Sequence, residues 1–420
     1  MRETWVAHGV FTEVYLEEAL RKLGAGRRVA AHLGQALGAH HGFQAGGKER
    51  QDAFRLTWLE PSLWGQVRAW LVGKLREVLS LSGLPPLAEL SPEALLRVMA
   101  LASFADWIAS DPRFFPYGRD PLAPGYWEDA LEKARKALEV LSWPTPQAPE
   151  LKAFEELFPF SPNPLQRAVS ELLGGRQPNG DPVLLLVEAP MGLGKTEAAL
   201  YAFHLLRNLL DHRGLYLALP TQATANGLFL RVHRFLEGLA QGQVDLQLQH
   251  GAALLNPEYA RMLEGNLSPE QVYDTGEEEG AVVASSWFSA KKRAMLSAHG
   301  VGTLDQALLG VFKVKHHFIR LWGLMNRVVV LDEVHAYDTY TSGLLAALLR
   351  WLRALGSSVV LMTATLPQAK RRELLEAWGV GEGGLPPYPR VALSPERGCW
   401  RPRACRFPKG KSASRPPPRG

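Results

Sequence analysis

Between Pro182 and Thr365 the chain returns four times to a short run of Val and Leu, as PVLLLVEAP, GLYLALPT, RVVVLDE and SSVVLMTAT, each separated from the next by longer helical stretches. Such runs have no polar face, so each strand must be covered on both sides. A parallel sheet with helices packed on both faces meets that demand. Residues 151–393 are therefore expected to form an α/β domain. Residues 1–142 read differently. Stretches such as EVYLEEALRKL and WEDALEKARKALEVL carry helical periodicity, and few strand-like runs interrupt them, so an all-α domain is expected there. Proline-punctuated SWPTPQAPE supplies a linker over 143–150. Residues 394–420 lose nearly all apolar periodicity and are expected to be a disordered, basic, proline-rich tail.

Composition excludes several classes. A length of 420 residues calls for more than one domain. No apolar run approaches a membrane span, and MRETWVAHGV lacks signal-peptide character, so a cytoplasmic protein without membrane association is expected. The only two cysteines, Cys399 and Cys405, argue against a disulfide framework or a thiolate zinc site. Eight Lys or Arg and no acidic residue fall between Arg397 and Gly420. Leaving that segment out takes the formal net charge from +5 to −3, so the basicity describes a tail and says little about nucleic acid.

The motifs that carry chemistry sit at strand ends. VLLLVEA runs into APMGLGKTEAAL, a phosphate-binding loop with Ala189 at the usual first glycine position. Gly192 and Gly194 let the backbone curl its N–H groups toward phosphate oxygens. Lys195 reaches the β- and γ-phosphates, and Thr196 offers a hydroxyl to Mg²⁺ ahead of a helix N-terminus. RVVVL ends in DEVHAYD, which places Asp332 as an outer ligand of nucleotide Mg²⁺ and Glu333 as base or orienter of the attacking water. MTATLP places Thr363 and Thr365 where hydroxyls can relay nucleotide state. In FPFSPNPLQ, Gln166 suits the donor and acceptor edge of adenine. ATP with Mg²⁺ is the expected ligand.

In their order, these elements resemble the first motor domain of superfamily 2 helicases, which have a RecA-like parallel sheet, with a DEVH form of the second nucleotide motif. The resemblance implies that His335 couples nucleotide to the strand-binding face. It also implies that Thr221 and Gln222 in ALPTQATANG and Thr303 in VGTLDQAL contact the nucleic-acid backbone. More narrowly, EAPMGLGKTEAAL, VGTLDQALLGVFKVKHHFIRLWG and VVVLDEVHAYD together are similar to the CRISPR-associated helicase–nuclease of type I interference systems, over roughly residues 5–392. What that implies is an HD-type metal-dependent nuclease domain ahead of the motor, with single-stranded DNA and an RNA-guided CRISPR surveillance complex as partners. Its complete form unwinds and degrades target DNA in antiviral defence.

The family uses a lone His, a His–Asp pair, a further His, a His–His–Gly segment and an Asp in a segment like ADW. Onto these map His8, His40, His41 and Asp106; the first His and the His–Asp pair have no counterpart in the seven residues before His8. His32 is a poor substitute, about 12 Å from His40 along a continuous helix. Sharing a metal with His40 would need that helix to break at Gly38. The expectation is a partial site that holds a divalent transition metal weakly. His316 and His317 in KVKHHFIRL are assigned no metal. Only 53 residues follow Pro367, where a second motor domain needs on the order of 150. The expected result is an ATP-binding part of such an enzyme that is impaired in hydrolysis, with the tail read as a shifted reading frame or an aberrant end. The competing readings are a non-catalytic nucleotide-binding interaction module and an inactive truncated product.

Overall fold

The computed structural model describes residues 6–59, 62–83, 89–118, 120, 122–141, 143, 150–176, 180–239, 244–264, 282–283, 286–289, 293–336, 339–381, 385–394 and 401–404. Most of the expected linker lies outside these residues, as do 395–400 and 405–420 of the expected tail.

Among the described residues nine strands form one sheet: β1 (Leu184–Glu188), β2 (Leu215–Leu219), β3 (Val244–Gln249), β4 (Val282–Val283), β5 (His299–Thr303), β6 (Val328–Leu331), β7 (Ser358–Thr363), β8 (Arg390–Leu393) and β9 (Arg401–Ala404). The spatial order is β4-β3-β5-β2-β6-β7-β1-β8-β9. Strands β1 to β7 run parallel, and β8 and β9 are antiparallel additions beside β1. Every residue of β1, β2, β5, β6 and β7 is buried, which is why these runs lack alternation in the sequence. Helices Pro164–Gly174, Lys195–Leu210 and Gln222–Glu237 connect or cover the strands and bury Phe203, Phe229 and Leu165 against them.

The expected tail is corrected in one place. Arg401–Ala404 form β9, in register with β8 from Arg390↔Ala404 to Leu393↔Arg401. Composition predicts no packed core for this segment, but pairing to an exposed strand edge uses backbone groups that any residue carries. Pro402 is tolerated because β9 is the outermost strand.

The chain divides into two compact units, and neither is continuous in sequence. One holds Met1–Pro144 together with Trp287–Leu296 and Leu309–Gly323; the other holds Thr145–Ser286, Ser297–Leu308 and Leu324–Gly420. Sequence reading placed 287–296 and 309–323 with the sheet, whereas they pack with the helices. The reason is an aromatic cluster. Phe104 lies 4.9 Å from Trp143, 5.5 Å from Trp322 and 5.9 Å from Trp287 between ring centroids. The helical unit otherwise contains α1 (His8–Lys22), α2 (Arg27–Gly38), α3 (Gly47–Leu59), α4 (Ser62–Val78), α5 (Pro92–Ala109) and α6 (Tyr126–Val140). Among the described residues no helix is long and apolar enough to cross a membrane.

At the N-terminal ends of the central strands, opposite the phosphate loop, His212 bridges Asn326 Oδ1 (2.9 Å) and Ser358 Oγ (2.7 Å), pinning the segment before β2 to the starts of β6 and β7. Burial pushes its pKa down to about 4, from 6.5. The unfolded chain therefore takes up a proton between these values that the folded chain refuses. The stabilisation is complete above pH 6.5 and is lost as pH falls through about 4, with a ceiling near ~3 kcal/mol. His204, also held down to about 4 by burial, acts in the same direction. Thermal unfolding from pH 7 to 4.5 should show this loss, and His212→Asn should remove part of the pH dependence; an unchanged slope would count against the assignment.

Candidate functional site

Two groups of polar side chains stand out, one in each unit. The first lies at the C-terminal ends of β1, β6 and β7, the side on which open parallel sheets bind ligands. The loop after β1 is tied to β7 by Ala189 N–H, which donates to Thr363 O at 3.1 Å. Gly192 (φ +79°) and Gly194 (φ +70°) adopt the left-handed backbone the loop requires. A side chain at Gly194 would also meet Gln166 Nε2 at 2.5 Å. Helix Lys195–Leu210 starts directly after it, so its free N–H groups and positive end face the loop. Lys195 Nζ donates to Ala189 O (2.9 Å) and Pro190 O (3.2 Å), which holds the ammonium over the loop; Thr196 follows, half-buried.

Gln166 lies beneath this loop, in an arrangement unlike an open adenine reader. Its side chain is buried. Oε1 accepts Asn163 N–H (2.9 Å) in a capping box, and Nε2 donates to Gly194 O (3.3 Å). Asn163 Nδ2 donates to Leu193 O at 3.0 Å. As placed, the pair braces the phosphate loop.

Asp332 follows β6, its amide held by Ala218 O at 3.0 Å. Burial, reinforced by the neighbouring Glu333 charge, pushes its pKa up to about 6, while Lys195 and His335 pull the other way. Glu333 has φ +52°, a left-handed conformation that costs a non-glycine residue about 1–2 kcal/mol. Its amide donates to Asp332 Oδ1 at 2.9 Å, and its Oε2 lies 3.1 Å from His335 Nδ1. His335 Nδ1 is also 2.9 Å from Thr363 Oγ1, and the Thr363 hydroxyl is 2.8 Å from Thr365 O. Because a carbonyl only accepts, the Thr363 proton goes to Thr365 O. The Thr363 oxygen then accepts from His335, so His335 carries its proton on Nδ1, and Glu333 Oε2 lies close to the same nitrogen without sharing that proton. The side chains of Glu333, His335 and Thr363, closed by the Thr365 carbonyl, thus form one chain of contacts between the ends of β6 and β7.

The residues expected at a nucleic-acid backbone occupy the ends of the adjacent strands β2 and β5, which pair Leu219↔Thr303. Thr221 caps helix Gln222–Glu237 through Oγ1, which accepts from Thr224 N–H (3.2 Å), and Thr221 and Gln222 are exposed. Thr303 is buried, its carbonyl taken by Tyr216 OH at 3.2 Å.

The second group is in the helical unit. His8 begins α1, and α2 ends at Gly38, passing into a 3₁₀ turn Ala39–His41. This change brings the adjacent histidines round together. His41 Nε2 lies 2.7 Å and His40 Nε2 3.1 Å from His8 Nε2. His40 Nδ1 is 2.6 Å from Leu37 O, which can only accept, so the His40 proton is on Nδ1 and its Nε2 lone pair faces the other two rings. Ser103 Oγ donates to His40 O (2.7 Å) and fixes the turn. Three ring nitrogens converging within 4.8 Å suit a divalent ion bound on one face. Asp106 is outside this triad. Its charge acts on His41, whose pKa is lowered first by burial and then by His40 and His8. His32 does not join the triad either, although the helix does change character at Gly38.

The triad depends on a close helix crossing that sequence reading missed. A Cβ on Gly9 would lie 2.5 Å from Gly38 O, one on Gly34 2.6 Å from Glu13 O, and one on Gly38 2.7 Å from both Glu13 Cβ and Gly9 O. The three glycines let α1 and α2 touch, which sets His8 against His40 and His41. Their spacing of four in α2 was the available signal. Nothing in 309–323 foretold that His316 N–H would donate to Gly42 O (3.3 Å), one residue beyond the triad.

Residues 1–115 match the family model described as Cas3, HD domain. The chain is 62% identical over 400 residues to the CRISPR-associated endonuclease/helicase Cas3 of Thermus thermophilus, covering 93% of this chain and 42% of that protein. Residues 1–115 thus belong to the Cas3 HD-domain family, and the chain as a whole is similar to the corresponding part of Cas3 proteins. A crystal structure of T. fusca Cas3-AMPPNP is similar at TM-score 0.79 and 28% identity, over 97% of this chain and 47% of that one. A chain in a CRISPR RNA-guided surveillance complex, pre-nicking, is similar at TM-score 0.65 and 27% identity, over 96% and 42%. The chain thus spans less than half the length of these Cas3 relatives. The fold is that of Cas3 over this span: an all-α HD-type domain ahead of a RecA-like motor domain whose β1 to β7 are parallel.

The glycine crossing can be tested through the histidine triad it supports. Gly38→Ala should destabilise the protein by about 1–3 kcal/mol in urea unfolding. It should also weaken Ni²⁺ binding by about tenfold, as loss of support around a ligand does. Full Ni²⁺ affinity in a folded Gly38→Ala protein would show that the crossing does not set the triad.

Proposed function

We propose that the chain comprises the nuclease domain and first motor domain of a Cas3-type helicase–nuclease. It binds ATP and Mg²⁺ in the sheet unit and a divalent transition metal at the histidine triad. The observation that carries this reading is the linkage of phosphate loop, Asp332–Glu333 and Thr363 through His335 across three strand ends. A nucleotide site built this way reports the state of the γ-phosphate to the motif that ends β7. In the working enzyme the loop amides and Lys195 hold the phosphates, while Thr196 and Asp332 hold Mg²⁺. Glu333, oriented by His335, takes or directs the proton of the attacking water. Thr221 and Gln222 are the exposed residues along which single-stranded DNA passes, with buried Thr303 behind them on the adjacent strand. The surveillance complex is the partner that delivers the strand, a proposal supported by the likeness to the chain of the pre-nicking complex.

Lys195→Ala should abolish binding of a fluorescent ATP analogue. Glu333→Gln should keep the affinity and lower turnover by about 10²-fold or more, wherever turnover is measurable. Equal affinity in the Lys195 variant would sink the loop assignment, and unchanged turnover in the Glu333 variant would sink the role of that carboxylate.

For the nuclease, the triad offers three imidazole nitrogens and has no carboxylate among its members, where a second ion would need one to bridge it. The 420-residue chain should therefore cut single-stranded DNA little, and added Mn²⁺, Co²⁺ or Ni²⁺ should not raise it to a full rate. Metal-dependent cleavage that His41→Ala eliminates would show that further ligands complete the centre.

A further inference from the structure

Glu188 is the last residue of β1, one position before the phosphate loop, and only 1% of it is exposed. None of the roles above uses it. It pairs in register with Thr363 on one side and Arg390 on the other. Its Oε1 accepts Leu366 N–H at 3.1 Å. Its Oε2 forms ion pairs with Arg390 Nε (2.7 Å) and, more distantly, Arg371 Nη1 (3.7 Å). Arg371 Nη1 also donates to Leu366 O at 3.2 Å, and Arg390 Nη1 to Pro386 O at 3.0 Å.

A carboxylate this deeply buried needs charge compensation and a hydrogen-bond donor, and the two guanidiniums and the Leu366 amide supply them. The amide bond has the more specific consequence. Leu366 follows Thr365, whose carbonyl takes the Thr363 proton and thereby sets the Thr363 oxygen as acceptor for His335. Holding Leu366 N–H holds that turn. Arg371 grips the same residue through its carbonyl, so Leu366 is fastened at both backbone groups by one ionic cluster.

We infer that Glu188 is a positioning residue for the nucleotide site. It fastens the turn after β7 to the base of the phosphate loop, so that Lys195 and the Glu333–His335–Thr363 chain keep one relative placement. It acts on Glu333 through Leu366, Thr365, Thr363 and His335, and touches neither nucleotide nor metal. This inference rests on the nucleotide reading above.

A buried ion pair that merely neutralised charge would give the same stability effects, so the test separates the charge from the acceptor. E188Q alone removes the carboxylate charge beside both arginines and risks misfolding. Two double variants keep the parent's net charge: E188Q/R390Q retains a carbonyl for Leu366 N–H, and E188L/R390Q has none. In the full chain, E188Q/R390Q should bind a fluorescent ADP analogue within about threefold of the parent, as charge-matched changes that keep the contact do. It should also keep the Nδ1–H tautomer of His335 in long-range ¹H–¹⁵N spectra, with signals assigned by their loss in H335Q. E188L/R390Q, with a similar thermal midpoint, should bind the analogue about tenfold more weakly and show a mixed His335 tautomer. The inference is overturned if E188L/R390Q keeps both properties, or if E188Q/R390Q loses them as fully. Failure of the unsubstituted chain to bind the analogue would overturn the nucleotide reading instead, and the His335 tautomer would still decide the Glu188 link.

Discussion

The parallel pairing of β1 with β7 is the contact on which the nucleotide site depends. It joins residues about 175 positions apart in sequence, with Leu184↔Val359 at one end and Glu188↔Thr363 at the other. Both strands are buried on both faces, so a slipped register would misplace every following group while leaving the apolar core superficially satisfied. The polar contacts beyond the strand ends specify the register more narrowly. Ala189 N–H reaches Thr363 O, and Glu188 reaches Leu366 N–H. β6 then enters beside β7, which brings Asp332 and Glu333 to the same end of the sheet as Thr363.

The strain at Glu333 fits the same account. A left-handed glutamate is held by its own amide bond to Asp332 and by His335, which is in turn fixed by Thr363. Local cost is balanced by contacts from another strand, which is how an unfavourable backbone conformation persists at a functional site. Asp332, raised to about 6 by burial and by its neighbour, shows the electrostatic side of the arrangement. Two carboxylates in a half-buried site resist ionising together, and a nearby cation relieves that resistance. Lys195 already acts on Asp332 in this direction.

The helical unit solves a different problem. Its three converging histidines come from the start of α1 and the turn after α2, two helices that approach more closely than ordinary side chains allow, and glycines on both make the space. Its core borrows Trp287 and Trp322 from segments that lie between sheet strands in sequence. A division of the chain at one linker therefore describes the order of the elements, while the compact units are interleaved.

The sequence by itself determined the α/β class, the helical character of the first 140 residues, the phosphate loop and the Asp–Glu strand end. These are written in local terms: apolar runs for buried strands, 3.6-residue periodicity for helices, glycines where the loop turns left-handed, and charged residues immediately after a strand. It also picked out His8, His40 and His41, through likeness to the pattern of a family. Only the tertiary structure decided that Gln166 braces the loop, that Glu188 meets two arginines and the Leu366 amide, and that Asp106 stays outside the triad. Only it showed that 401–404 add a strand and that 309–323 pack with the helices. Each of these rests on contacts between residues tens to hundreds of positions apart, or on a backbone edge open to any sequence. Periodicity and motif spacing carry no record of which distant surfaces meet, and that meeting is set by how the buried faces fill the space between them.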